Sequence, residues 1–298
     1  MLNGVTTGAP KERTREFAYT RGDFDKLREL IHAHAGIRLN ETKWEMVYSR
    51  LVRRLRALHI TSFGSYVKVL EDKDHPEWEH FVNALTTNQT AFFREAYHFP
   101  ILAEHLGGLR PGVTASLWSA AASTGEEAYS MAITACEVYE TLAPPVKILA
   151  TDLDSQVLAQ ANEGIYTIEQ TQDLSPERLR RFFLKGTGTR AGFVKLKPEL
   201  RALVSFAKHN LRDENWGLSE SFDGIFCRNV MIYFDKPMQY QILSRIARVL
   251  KPDGLLFAGH SESYFHAADL FRPCGRTVYR HASSAATPAN PLPRGAPS

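Results

Sequence analysis

The chain has 298 residues, 44% hydrophobic and 23% charged, with a formal net charge of +3. That composition is that of an ordinary globular protein with room for one large domain and a small one. No apolar run approaches the ~18–20 residues of a membrane-spanning helix, and Met1–Arg21 lacks the apolar core of a secretory signal, so the cytoplasm is the expected compartment. The three cysteines, Cys136, Cys227 and Cys274, are far apart and form no C-x-x-C pair, which argues against a zinc site or a disulfide framework.

In chain order, residues 1–20 read as a polar, flexible leader and 21–86 as helices joined by short turns. Asp23 is expected to cap a helix over Phe24–His34, with Gly36 as its stop. A second helix is expected over Glu41–Leu58, where Trp44, Val47, Tyr48, Leu51, Leu55 and Leu58 share one face. At about 100° per residue, Lys43, Arg50, Arg53 and Arg54 gather on a neighbouring face, while Arg56 points elsewhere. That basic face reads either as solvated surface or as a docking surface for an acidic partner.

From residue 87 to 281, strand-like runs alternate with helical patterns, the signature of βαβ units and a parallel sheet. The expected strands are Thr114–Ser119, Val146–Thr151, Ala202–Ala207, Phe222–Cys227, Leu255–Gly259 and Thr277–Arg280. The expected helices are Glu126–Tyr139, Ser155–Asn162 and Lys236–Leu250, the last stopped by Lys251-Pro252-Asp253-Gly254. Residues 282–298, rich in Ala, Ser and Pro, read as a disordered tail.

Open α/β sheets bind ligands at the carboxyl ends of their strands. Three such ends carry suitable chemistry. The first, Ser119-Ala120-Ala121-Ala122-Ser123-Thr124-Gly125-Glu126-Glu127, has small residues that allow close backbone approach, but it is not G-x-G-x-x-G. Its acidic pair would repel a pyrophosphate at the helix end and suits a cationic ligand better; alternatively both glutamates merely favour the helix dipole. The second end is Asp152, whose carboxylate can accept from both hydroxyls of a ribose, with Asp154 better placed to cap the following helix. The third is Cys227-Arg228-Asn229-Val230-Met231-Ile232-Tyr233-Phe234. His260-Ser261-Glu262 holds triad residue types, but neighbours in sequence cannot form the spatial relay, so it reads as loop structure.

These segments, together with Thr86-Thr87-Asn88-Gln89-Thr90-Ala91-Phe92-Phe93-Arg94-Glu95, resemble the chemotaxis receptor methyltransferase family, CheR, over about Phe24 to Tyr279. The resemblance implies an α/β, Rossmann-like S-adenosylmethionine-dependent methyltransferase fold whose last strand pair is antiparallel. It adds a small all-helical N-terminal domain and an inserted small antiparallel β-subdomain at 171–200. The implied activity is transfer of the methyl group of S-adenosylmethionine to glutamate carboxylates of chemotaxis receptors, leaving S-adenosylhomocysteine, with no metal. By position, Asn88, Thr90 and Arg94 resemble linker residues closing over the cofactor. Ala121 and Glu127 resemble first-loop contacts and Asp152 the ribose acid. Asn210 and Leu211 resemble the pair beside the adenine, Arg228 and Asn229 further contacts, and Tyr233 the tyrosine near the transferable methyl. Arg94 and Tyr233 are the catalytic candidates. Arg50, Arg53 and Arg54 take the receptor-docking role, and Gly186, Gly188 and Gly192 match a glycine loop that in some relatives docks a receptor C-terminal peptide. The expected partners are cytoplasmic receptor domains; no nucleic acid, membrane insertion or assembly beyond a monomer is expected. A cofactor-binding regulatory protein without turnover would lack the Asn88–Arg94 run or Tyr233, and a nucleic-acid methyltransferase would carry aromatic platforms among the arginines.

Overall fold

The computed structural model describes residues 15–86 and 88–284; most of the expected leader and tail, 1–14 and 285–298, lies outside them. The described residues fall into two compact units, one of 15–34 with 39–85 and one of 35–38 with 86 and 88–284.

The first unit is helical: α1 (Arg21–Ala35), a 3-10 turn at Glu41–Lys43, α2 (Trp44–Ala57), α3 (Phe63–Glu71) and α4 (Glu77–Leu85). α1 starts three residues before the expected first helical residue. Thr20 and Asp23 form a reciprocal box: the Asp23 N–H donates to Thr20 Oγ1 at 3.2 Å, and the Thr20 N–H donates to Asp23 Oδ2 at 2.8 Å. Asp23 therefore serves as the third-position acid of the cap rather than the cap itself. α2 buries Val47, Leu51, Val52 and Leu55 as its apolar spacing requires.

The second unit opens with α5 (His98–Gly107), which has no counterpart among the expected elements. It then alternates β1 (Ala115–Ser119), α6 (Glu126–Val138), β2 (Val146–Asp152) and α7 (Ser155–Glu163). After β3 (Ile165–Thr167) come α8 (Pro176–Phe182), β4 (Phe183–Lys185), β5 (Phe193–Leu196), α9 (Pro198–Arg201), β6 (Val204–Lys208) and β7 (Phe222–Cys227). The chain closes with α10 (Lys236–Val249), β8 (Leu250–Ala258), β9 (Phe271–Gly275) and β10 (Val278–His281). The main sheet has the order β6-β2-β1-β7-β8-β10-β9. β6, β2, β1, β7 and β8 run parallel, and β10 is antiparallel to β8 and β9. This is the Rossmann-like methyltransferase arrangement that the resemblance implied.

The apolar pattern explains the order. β7 is buried at all six positions, as a central parallel strand covered on both faces must be. The chain lays down β1, β2 and β6 outward on one side, then crosses to β7 on the other, so the strand order reverses between β1 and β7. Such a switch leaves a crevice at the strands' carboxyl ends.

Two boundaries differ from expectation. β8 begins at Leu250 and takes in Lys251–Gly254, which the turn residues mark as a helix stop. A helix stop and a strand start coincide there because the last α10 residue feeds the sheet directly. The small sheet, β3-β5-β4, begins at Ile165, upstream of the expected insertion at 171–200, because a three-residue strand carries almost no periodic signal.

Candidate functional site: the crevice at the strand ends

The loop after β1 is held open by backbone geometry. Gly125 caps α6 at φ 95°, and a Cβ there would lie 2.9 Å from that of Ala161. Ser123 also sits in the left-handed region, at φ 49°. Ala120 and Ala122 are buried and Ala121 is half-buried, so the bend presents small side chains beside the backbone.

Asp152, the last residue of β2, braces that bend. One carboxylate oxygen accepts from the Ser123 N–H at 2.8 Å and the other from the Asp154 N–H at 3.0 Å. Each oxygen keeps a further lone pair for a donor. Burial pushes its pKa up against those two amide hydrogen bonds. Asp154 caps α7 through the N–H groups of Gln156 and Val157, as its position before the helix led one to expect.

Asn88 ties the entering segment to the same place. Its Nδ2 donates to Asp154 Oδ2 at 2.8 Å, and its carbonyl accepts from Ser123 Oγ at 2.9 Å. Thr90 is half-buried just before a tight turn in which the Arg94 N–H donates to the Ala91 carbonyl. The Arg94 guanidinium folds back to the Gln89 carbonyl at 2.8 Å. Across the crevice, the His209 N–H donates to the Asp152 carbonyl, placing Asn210 and Leu211 immediately beyond. Leu211 is buried, and Asn210 Oδ1 accepts from the Arg212 N–H.

The two acidic residues that open α6 part company. Glu126 turns to Thr124 and Gln170 and is buried away from the strand ends. Glu127 accepts from Ser119 Oγ at 2.7 Å and from Arg228 Nη1 at 3.1 Å. Burial pushes the Glu127 pKa up, opposed by Arg228. Only one member of the pair therefore supports an acidic pocket; the other is internal.

Arg228 is a buried hub rather than an open contact. Its side chain is 2% exposed, bonds Glu127, donates to the Arg94 carbonyl and lies 3.4 Å from Glu95. Asn229, at φ 58°, donates through Nδ2 to Glu95 at 3.2 Å. The loop after β7 is shaped by Glu262, whose carboxylate accepts from the N–H groups of Asn229, Met231 and Gly259 at 3.0, 2.9 and 2.6 Å. Tyr233 follows in the short 3-10 turn Met231–Tyr233, half-buried. The sequence marks Glu262 only as loop and gives Glu95 no role. A buried acid among backbone amides leaves no periodic trace, so only the closeness of Glu262 to Gly259 hints at its part.

The docking candidates differ in what holds them. Arg53 is exposed on α2. Arg54 is already engaged. It clamps the buried Glu77 through Nε and Nη2 at 2.8 and 2.6 Å, and Tyr66 donates to the same carboxylate. Its guanidinium is thus tied to Glu77 within the helical unit. Arg50 is half-buried and reaches toward the Ala84 carbonyl. Gly186, Gly188 and Gly192 lie in the turn between β4 and β5. A Cβ on Gly186 would lie 2.1 Å from the Arg190 carbonyl oxygen, and Gly188 and Gly192 have positive φ, so the turn itself demands glycine. β4 and β3 are the edges of the small sheet.

The fold and crevice define a class: a Rossmann-like sheet with an acid at the end of β2 and small residues after β1 is built to bind a nucleoside-bearing cofactor. The chain matches the family model described as CheR methyltransferase, SAM binding domain, over 88–280, and CheR methyltransferase, all-alpha domain, over 22–86. It is 49% identical over 279 residues to chemotaxis protein methyltransferase 2 of Pseudomonas aeruginosa, covering 92% of this chain and 98% of that protein. It is 48% identical over 269 residues to the chemotaxis protein methyltransferase of Escherichia coli, covering 90% and 93%. With the Klebsiella aerogenes protein of the same name the identity is 53% over 257 residues, covering 86% and 88%. The chain belongs to the CheR methyltransferase family and is an S-adenosylmethionine-dependent methyltransferase.

Proposed function

We propose that this enzyme methylates glutamate side chains of chemotaxis receptors, forming methyl esters and S-adenosylhomocysteine. The observation that supports this reading is that, in a CheR-family chain, Asn88 and Asp152 both brace the bend after β1 while Arg228 links Glu127 to the Arg94 carbonyl and, with Asn229, to Glu95. The residues suit the cofactor. Asp152 keeps lone pairs for a ribose diol, Leu211 offers an apolar wall to an adenine, and the Ala120–Ala122 bend admits close approach.

When bound, S-adenosylmethionine supplies the methyl group as a sulfonium substituent, open to in-line displacement by a carboxylate oxygen. A glutamate with solution pKa about 4.3 is ionised at neutral pH, so the protein need not supply a strong base. Its residues orient the carboxylate and remove water from it. Arg94 is assigned to hold that carboxylate: its guanidinium stays protonated and cannot act as a base. Tyr233 is assigned to position the reacting groups through its hydroxyl. The exposed Arg53 and the glycine turn between β4 and β5 are assigned to receptor contact, the latter by adding a receptor peptide as a strand to the open edge.

The test is incubation with methyl-labelled S-adenosylmethionine and receptor-containing membranes. Base-labile label in the receptor band, released as methanol, is the expected result. No label on any of a range of receptors, with cofactor binding demonstrated, would overturn the substrate. Arg94→Ala is expected to lower turnover by about 100- to 1000-fold at saturating cofactor; near-native turnover would remove Arg94 from this role.

A further inference from the structure

The run that carries Arg94 ends in a residue with no role in the reading so far. Glu95 lies at φ 56° and Phe93 at φ 53°, so the backbone on both sides of Arg94 adopts the left-handed conformation that side chains rarely take. Such a turn persists only where its surroundings over-determine it. The surroundings here converge on one carboxylate. Glu95 Oε1 accepts from His260 Nδ1 at 3.0 Å and from Asn229 Nδ2 at 3.2 Å; Oε2 accepts from the Tyr97 hydroxyl at 3.2 Å and faces Arg228 Nη2 at 3.4 Å. The same Arg228 nitrogen donates to the Arg94 carbonyl. The carboxylate is thereby joined to the loop after β7, to the loop after β8 and, through Arg228, to Glu127 on α6.

We infer that Glu95 is a positioning residue for methyl transfer: its carboxylate fixes the Arg94 turn against Arg228 and Asn229, so that the Arg94 guanidinium and the Asn229 side chain face the crevice in one arrangement. The inference rests on the reading of Arg94 and Asn229 as crevice residues. The chemistry selects a carboxylate. Two acids, Glu95 and Glu127, flank the buried Arg228, and neutralising Glu95 leaves one guanidinium nitrogen facing an amide. Glu95 is in addition held ionised: burial raises its pKa, but the His260 hydrogen bond and the Arg228 charge outweigh that and bring it down to about 2.

Glu95→Gln keeps size and acceptor oxygen but removes the charge. A displacement of the crevice groups by about 1 Å costs about 100-fold in rate, and that fall in kcat is expected here, with KM for the receptor unchanged within about twofold. S-adenosylhomocysteine affinity, read by calorimetry, should fall by about tenfold, since the single amide oxygen of glutamine cannot serve both Asn229 and Arg228. Glu95→Asp, which restores the charge on a shorter stem, should recover at least about tenfold of the lost kcat. His260→Ala, which removes an exposed partner and spares Arg228, should cost less than about tenfold. Circular dichroism and thermal melting of each variant separate these effects from unfolding. A Glu95→Gln protein with kcat and product affinity within about twofold of the parent overturns the inference. So does a folded Glu95→Asp protein as slow as Glu95→Gln. Failure of the underlying reading looks different: the parent protein itself then leaves no base-labile label on receptors, or Arg94→Ala turns over normally.

Discussion

Two arginines meet largely buried carboxylates in this molecule, and they serve different ends. Arg54 in the helical unit faces one acid, Glu77, in a two-pronged clamp to which Tyr66 adds a hydroxyl. The arrangement is closed, and all three residues lie on α2, α3 or α4. Arg228 in the sheet unit lies between two acids, Glu95 and Glu127, each of which has further partners on other segments. A closed pair fixes helix packing and little else. A shared cation between loops fixes the relative placement of side chains at a crevice. Burial alone does not separate the two; the number of segments each arginine joins does.

The largest expected effect is on the closed pair. Glu77→Ala strands the Arg54 charge and the Tyr66 hydroxyl and should cost about 3 kcal/mol of stability. Affinity for S-adenosylhomocysteine in the folded protein should stay unchanged. A loss of affinity as large as the loss of stability would erase the contrast. Asp152→Asn should do the opposite. Two backbone N–H groups bind its two oxygens, so an amide nitrogen must oppose one of them, and the ribose loses a charged acceptor. Product affinity should fall by about 10- to 100-fold, the equivalent of about 1.5–3 kcal/mol for a hydrogen bond to a charged group, with a smaller loss of melting temperature than Glu77→Ala shows.

A smaller effect is expected from pH. His98 is buried against Thr277, and burial, reinforced by the Arg228 charge, lowers its pKa from 6.5 to about 3. Glu95 is likewise lowered, from 4.5 to about 2. In both cases the unfolded chain binds protons that the folded chain refuses, so stability falls with acidification. For His98 the loss runs from about pH 6.5 down to 3, and for Glu95 from about 4.5 down to 2. His98→Gln should lessen the slope of the melting temperature between about pH 6.5 and 5, where Glu95 does not yet contribute, while His105 and His209, also lowered by burial, keep their share. One proton amounts to at most about 1.4 kcal/mol per pH unit; an unchanged slope would place the sensitive group elsewhere. The smallest effect belongs to the exposed surface. Arg53→Ala should weaken receptor methylation by less than about fivefold, vanishing at high salt, because single exposed charges contribute under about 1 kcal/mol. A salt-independent loss would mean that Arg53 is buried in the complex.

Sequence and structure agree where a signal is local and repeated. The apolar spacing of α2, the apolar run of β7, and the Asp154 cap of α7 are all legible, since each depends on a residue and its near neighbours along one element. The cap of α1 is misplaced by three residues because Thr20 and Asp23 are both acceptable caps and only their mutual hydrogen bonds decide. A strand as short as β3 escapes because three residues cannot establish a period.

The class of this protein was legible along the chain: the motifs after β1, β2 and β7, and the run before α5, resemble those of the CheR family, to which the chain belongs. Tertiary structure alone decided which charges are open and which are spent. Arg54 looks like part of a docking face until Glu77, 23 positions on, takes it up. Glu126 and Glu127 look alike until α6 sends one toward Gln170 and the other to Arg228. Glu95 and Glu262 stand out only once the strand ends bring them beside Arg228 and the loop after β7. The reason is physical: what a charged group does depends on what lies within about 4 Å of it. In a sheet whose strand order differs from chain order, those neighbours come from anywhere along the chain.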